Sequence, residues 1–256
     1  MTFIAKFWHW LWFAQTAGHL VLFGVLVRRK VYQDFPVFAL YVASAGVFSS
    51  ALLILNYAPQ FTGEQYFSAF LGSVAALAGL KFGIFYELLG RVLSEYPALK
   101  SAGKNLFAWA AIVLIFVAIG TAWLAPAGGS GHVMAIIYLL NRTVELLLCG
   151  LLVLLFVFRS YFNLTWRSYI FGIAFGLGVS ASADLAANAI RSQVEPVARN
   201  LSTHLLDAFT QGAMLCSVLI WAAYLLARED KPQIRENMPK HDLENWNQEL
   251  HRLLHQ

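Results

Sequence analysis

Hydrophobic positions along this chain follow neither the two-residue alternation of strands nor the one-sided stripe of a helix lying on a soluble core. They run in long, nearly unbroken apolar stretches, separated by short clusters of charged, proline and glycine residues. Seven stretches stand out, at about 7–27, 36–57, 66–91, 105–125, 133–158, 167–190 and 201–227. Each is long enough to cross roughly 30 Å of hydrocarbon as a helix, the form that satisfies its own backbone hydrogen bonds in lipid. A membrane barrel would show alternating segments of about ten residues, and that pattern is absent. The pattern therefore predicts an all-α, polytopic membrane protein. A seven-helix bundle occupies 1–228 and a tail follows over 229–256.

Composition strengthens the reading. The chain is 59% hydrophobic and 12% charged, about half the charge of an ordinary soluble domain, with a mean hydropathy of +0.61. Lys6 gives the first stretch a weakly basic start, but the apolar run continues through Val27 with no small-residue cleavage pattern. It reads as an uncleaved span rather than a signal peptide, with Trp8, Trp10 and Trp12 as an interfacial anchor.

Charge predicts the orientation. One set of loops, with the tail, carries Arg28, Arg29, Lys30, Arg91, Lys100, Lys104, Arg159, Arg167, Arg228, Lys231, Arg235, Lys240 and Arg252, whereas the other set carries only Lys6, Arg191 and Arg199. Cytoplasmic loops hold the excess of lysine and arginine, so the N-terminus is expected outside and the C-terminus in the cytoplasm. The same bias accounts for the net charge of +4 and implies no nucleic-acid partner. Cys149 and Cys216 fall within spans, where a free cysteine reads as a small core residue.

The loops are short. Pro126 to His132, PAGGSGH, reads as a flexible turn between the fourth and fifth spans. In the tail, Leu243, Trp246, Leu250, Leu253 and Leu254 share one helical face behind Asp242 as N-cap. Such a helix would lie on the cytoplasmic membrane surface or dock a cytoplasmic protein partner. It is too short to be a catalytic domain.

Polar residues inside the spans carry the chemistry, because ionisable groups in lipid are costly and face the bundle interior. The fifth span holds Asn141, Arg142 and Glu145; the latter two, three residues apart, share a face and can pair. The sixth carries a stripe of Ser180, Asp184, Asn188 and Arg191, and the seventh, in STHLLDAFTQ, carries His204, Asp207 and Gln211. At about 1.5 Å per residue, the three stripes reach overlapping depths in the outer half. Gln15 and His19 of the first span would lie lower, near the midplane. The candidate ligand site is therefore Arg142, Glu145, Asp184, Asn188, His204, Asp207 and Gln211. Arg142 would be its anion-binding cation with Glu145 orienting it. Asp184 and Asp207 would take cationic or hydrogen-donating groups, and His204 would make the site pH-sensitive.

Plainer roles compete for some of these residues. Arg142–Glu145 can be a satisfied ion pair, Arg191 a boundary residue snorkelling to the surface, Lys81 paired or snorkelling, and Glu87 solvated near the inner interface. Gly172 and Gly176 form a GxxxG that reads as close helix packing.

Several function classes can be weighed on these residues. A covalent retinal is not expected, since the seventh span has no lysine and Lys81 is in the third. A zinc-dependent membrane hydrolase needs three protein ligands and a water, but only His204 has the right depth and no HxxxH or HExxH occurs. A proton-coupled transporter suits the acid–histidine–acid series, with only Lys81 and Glu87 to continue it inward. The favoured reading is a ligand-binding or sensory/interaction membrane protein with a polar pocket in the outer half and the lipid bilayer as its surroundings. Its small polar ligand is unspecified. Next come the proton-coupled transporter, a structural subunit of a membrane complex, and then the hydrolase; an enzyme is the less favoured class.

Two stretches carry a resemblance. CGLLVLLFVFRSYFNLTWRSYIFGIAFG, from Cys149 to Gly176, and GIFYELLGRVLSEYPAL, from Gly83 to Leu99, resemble stretches of uncharacterised bacterial seven-helix integral membrane proteins. The resemblance implies a seven-span topology and a bacterial cytoplasmic (inner) membrane. It transfers no activity, cofactor or site residue.

Overall fold

In the computed structural model, the described residues are 3–58, 60–92, 130–157, 168–191 and 199–227, without the side chains of 3–8, 130–136 and 199–204. They form α1 (Phe3–Arg28), a 3-10 turn (Val31–Gln33), α2 (Pro36–Tyr57), α3 (Gly63–Val92), α4 (Ser130–Val157), α5 (Tyr169–Arg191) and α6 (Arg199–Leu226). The protein is thus all-α, and each of these six helices is long and apolar enough to cross a membrane. Six of the expected spans coincide with helices to within a few residues. The fourth, at about 105–125, and the tail with its Leu243–Leu254 face lie outside the described residues. So do Pro126 to Gly129 of the expected outer turn, whereas Ser130 to His132 already belong to α4.

Local chemistry explains several helix ends. Thr62 and Gln65 form a reciprocal capping box at the start of α3: the Thr62 N–H donates to Gln65 Oε1 at 3.0 Å and the Gln65 N–H to Thr62 Oγ1 at 3.4 Å. Pro36 opens α2 at a position where no N–H is needed. Phe35, just before it, gives no side-chain cap. The cap comes from α3 instead: Glu87 accepts the Val37 and Phe38 N–H groups at 3.3 and 3.2 Å, placing a carboxylate at the positive end of the helix. Glu87, expected to be merely solvated, is a strut between helices. Between α1 and α2, Lys30 adopts a left-handed φ of 59°, which turns the chain into the 3-10 segment and buries Val31 and Phe35.

The helices close into a ring in which each touches its chain neighbour among the described helices and α6 returns to α1. Side-chain contacts fix the directions. Trp12 meets Ser49, and Phe38 meets Glu87, so α1, α2 and α3 alternate. Cys149 meets Ser182, and Ile173 meets Trp221, so α4, α5 and α6 also alternate. His19 stacks edge-on against Trp221 while Gln15 and Gln211 line one cavity, so α1 and α6 run parallel. Consequently α1, α3, α4 and α6 point one way, and α2 and α5 the other. One end of the bundle, the basic end, collects Arg28, Arg29, Lys30 and Arg91; Arg191 and Arg199 lie at the opposite end.

Packing differs along the axis. Near the basic end, Leu22, Leu26, Phe38, Ile84, Leu88 and Leu155 are fully buried in one apolar core. Trp221 joins it, donating its indole N–H to the Ile173 carbonyl at 3.2 Å and meeting Phe38 and Tyr41 edge-on. Glycines let α5 come this close: a Cβ on Gly172 would collide with Tyr224, on Gly176 with Trp221, and on Gly178 with Leu152. The GxxxG is therefore a packing device, as expected. Around the outside, Val21, Leu40, Ile54, Val153 and Phe156 are exposed. Apolar side chains on the outer surface of an apolar bundle suit contact with lipid.

A polar cavity and a buried charge cluster

The half of the bundle away from the basic end is partly hollow. A cavity of about 350 Å³ lies between α1, α2, α3 and α6. Its polar lining comes from Gln15, Ser49, Ser73, Asp207, Thr210 and Gln211, and its aromatic walls from Trp12, Tyr41, Phe48, Tyr66 and Phe70. The sequence produces it because α1 and α6 turn amide and carboxylate positions inward where the core residues nearer the basic end turn leucine and valine.

Part of this wall is internally satisfied. The Trp12 indole N–H donates to Ser49 Oγ at 2.9 Å, Ser49 and Thr16 hydroxyls lie 2.6 Å apart, and Thr16 Oγ1 donates to the Trp12 carbonyl at 2.9 Å. Each hydroxyl gives one proton and takes another, so the loop closes. Trp12 is thereby buried in the bundle, whereas Trp10 is exposed; of these two, Trp10 has the outward aspect expected of an interfacial anchor. The Trp8 side chain lies outside the described residues.

Other groups are not satisfied. Gln15 and Gln211 line the cavity, and the Oε1 atom of each is buried without a hydrogen-bond partner among the described residues. Below them, His19 is fully buried, its Nδ1 2.9 Å from the Gln15 carbonyl. A carbonyl only accepts, so Nδ1 carries the proton; Nε2 has no partner among the described residues. Unmade hydrogen bonds of buried groups cost about 1–3 kcal/mol each.

Asp207 lines the cavity and reaches across to α5, where Arg191 contacts its Oδ1 at 2.5 Å. Arg191 also donates to Asn188 Oδ1 at 3.1 Å. Asp207, Asn188 and Arg191 thus form one polar chain over the end of the α5–α6 pair. Arg191 does not snorkel; it is the partner of Asp207. The signal was in the sequence, since Arg191 continues the Asp184–Asn188 stripe by one turn.

A second cluster sits deeper, near mid-bundle. Lys81 of α3, 9% exposed, lies 3.8 Å from Glu145 of α4, which is fully buried. Asn141, one turn earlier on α4, donates to the same Glu145 Oε1, while Oε2 is buried without a partner among the described residues. Asp184 of α5 acts electrostatically on both Lys81 and Glu145. Tyr41 joins the two regions, since it lines the cavity and feels the Lys81 charge. Lys81 is therefore the paired lysine rather than the snorkelling one.

The candidate residues divide accordingly. Asp207 and Gln211 line the cavity, Asn188 steadies Arg191, and Glu145 and Asp184 belong to the deeper cluster. Arg142 is exposed on α4 and does not line the cavity. The close partners of Glu145 are Lys81 and Asn141, and Arg142 acts on it only at longer range. His204 falls in the helical backbone of α6, but its side chain lies outside the described residues. Gln15, placed near the midplane by the sequence, lines the cavity beside Gln211; sequence reasoning missed Ser49 and Tyr41, whose hydroxyls inside a span carry no charge to mark them.

Among the described residues, no group of three or more histidines, cysteines, aspartates or glutamates is arranged to hold a metal ion. No protein family matches the chain, and neither a curated protein nor a solved structure matches it.

Proposed function

We propose that the protein binds a small polar ligand from the outer side of a seven-span bundle in a cytoplasmic membrane, as a receptor or sensor. The observation that carries this reading is the 350 Å³ cavity, with Asp207, Gln15 and Gln211 among the residues that line it. Hydrocarbon-filled space needs no amides. A ligand site is mostly apolar with a few placed polar groups, which is the composition of this lining.

The seventh span is supported by helix direction. A crossing by the apolar stretch at about 105–125, which is long enough to span the bilayer, would account for α3 and α4 running parallel. Segregation of lysine and arginine supports a cytoplasmic basic end, which puts the N-terminus and the cavity outside. The bacterial membrane rests on the resemblance of the Gly83–Leu99 and Cys149–Gly176 stretches alone.

The test is native mass spectrometry of the gently purified protein. A small molecule that co-purifies with the wild type and is lost in Asp207→Asn is the expected result. An empty wild type associated with other chains would point to a structural subunit instead. A second reading, proton-coupled transport, is favoured by Lys81, Glu145 and Asp184 lying beneath the cavity with Tyr41 between. Proton flux in proteoliposomes that Glu145→Gln abolishes would select it.

A further inference from the structure

We propose that the cavity takes an uncharged aromatic molecule, a fused two-ring body with one neutral polar edge. This inference rests on the ligand-pocket reading and names its ligand class. Charge is the first discriminator. Asp207 is the only charged residue among the described lining residues, and Arg191 already neutralises it at 2.5 Å. Lys81, Glu145 and Asp184 are not among the lining residues. The cavity therefore presents a balanced pair, and a charged ligand would enter it with no counter-charge to meet. A buried charge left without a partner is strongly unfavourable.

The lining is also two-sided. Gln15 of α1 and Asp207, Thr210 and Gln211 of α6 make one side polar. The other side, from α2 and α3, is mainly Tyr41, Phe48, Leu52, Tyr66, Phe70 and Leu77. The two serines on that side are engaged within the protein. Ser49 takes the Trp12 indole N–H and pairs with Thr16, and Ser73 donates to the Phe70 carbonyl at 2.7 Å. The α2–α3 side thus offers ring and aliphatic surface, against which an aromatic ligand packs edge-on or offset. The α1–α6 side carries carboxamides, which are polar without being charged and suit a hydroxyl or amide edge. Size points the same way. An apolar cavity of about 150 Å³ holds benzene, and 350 Å³ is a little over twice that, room for two fused rings with a short side chain.

The experiment uses the full-length protein in detergent and three probes on one indole ring: tryptophol, which is neutral, tryptamine, a cation, and indole-3-acetate, an anion. Hexanol serves as a neutral probe without a ring. Binding is followed by calorimetry and corrected for uptake by empty micelles. Tryptophol should bind at least about tenfold more tightly than either charged probe, and about tenfold more tightly than hexanol. Arg191→Gln removes the charge that balances Asp207, so tryptamine should gain about tenfold relative to tryptophol. Phe48→Ala should weaken all three indole probes and affect hexanol less. Should Arg191→Gln fail to fold, the wild-type ranking with Phe48→Ala decides. Tryptamine or indole-3-acetate binding as tightly as tryptophol would overturn the uncharged assignment and leave the pocket reading standing. So would an unchanged ranking in Arg191→Gln, and hexanol binding as tightly as tryptophol would overturn the aromatic body. Binding of none of the four would overturn the inference, and native mass spectrometry would then decide the pocket reading on its own.

Discussion

The two halves of this bundle solve the same problem in opposite ways. Toward the basic end, leucines, Phe38 and Trp221 fill the space between helices, and glycines on α5 remove what would not fit. Toward the other end, the same helices stand around a cavity and present amides, hydroxyls and a carboxylate to it. In lipid, nothing drives helices together by hiding apolar surface from water, so association rests on close packing and interhelical hydrogen bonds. The dense half supplies the packing. The hollow half, relieved of that duty, is where unpartnered polar groups are found.

The contrast can be broken by substitutions whose costs should fall in a definite order. Glu145→Ala strands Lys81 at the boundary between the halves and should destabilise most, by about 3–5 kcal/mol, read as unfolding in detergent micelles. Lys81→Met combined with Glu145→Met should recover most of that loss. A mild effect of Glu145→Ala would mean that mid-bundle is wet, and the division drawn here would shift by a turn or more. Gly176→Ala drives a methyl into the Trp221 indole and should cost about 1–3 kcal/mol; unchanged stability would show that the dense half has slack. Glu87→Ala removes the cap of α2 and should cost about 1 kcal/mol, with faster amide exchange at Val37 and Phe38 as its local signature. Gln211→Leu, in the hollow half, should change stability by no more than about 0.5 kcal/mol, because it removes an acceptor that has no partner to lose. A large loss there would make the cavity lining structural.

Much of this was legible in the residues, but unevenly. Span positions are written by hydrophobicity alone, so six helices fall where the apolar runs do. Which way a polar side chain turns is written by period: along the stripes of α5 and α6, Asp207 lines the cavity and Asn188 meets Arg191. Partner choice was not legible. Arg142 and Lys81 are equally good cations for Glu145 on paper, and only the placement of α3 beside α4 selects Lys81. Likewise the Glu87 cap joins residues fifty positions apart, and no local pattern announces it. The cavity itself depends on what four helices omit between them, a property that no single stretch carries.

The Glu87 contact has a mechanical consequence. It pins the start of α2 to the last turns of α3 through two hydrogen bonds, close to where Arg91 stacks on Phe35 at 4.3 Å. Toward their other ends, the two helices have the cavity between them. A pair of rods clamped at one tip and spaced at the other behaves as a lever: small rotations at the fulcrum become larger excursions of Ser49, Tyr66 and Phe70 at the far end. Any force applied between the free ends of α2 and α3 would act on the long arm and reach the basic end as torque rather than translation.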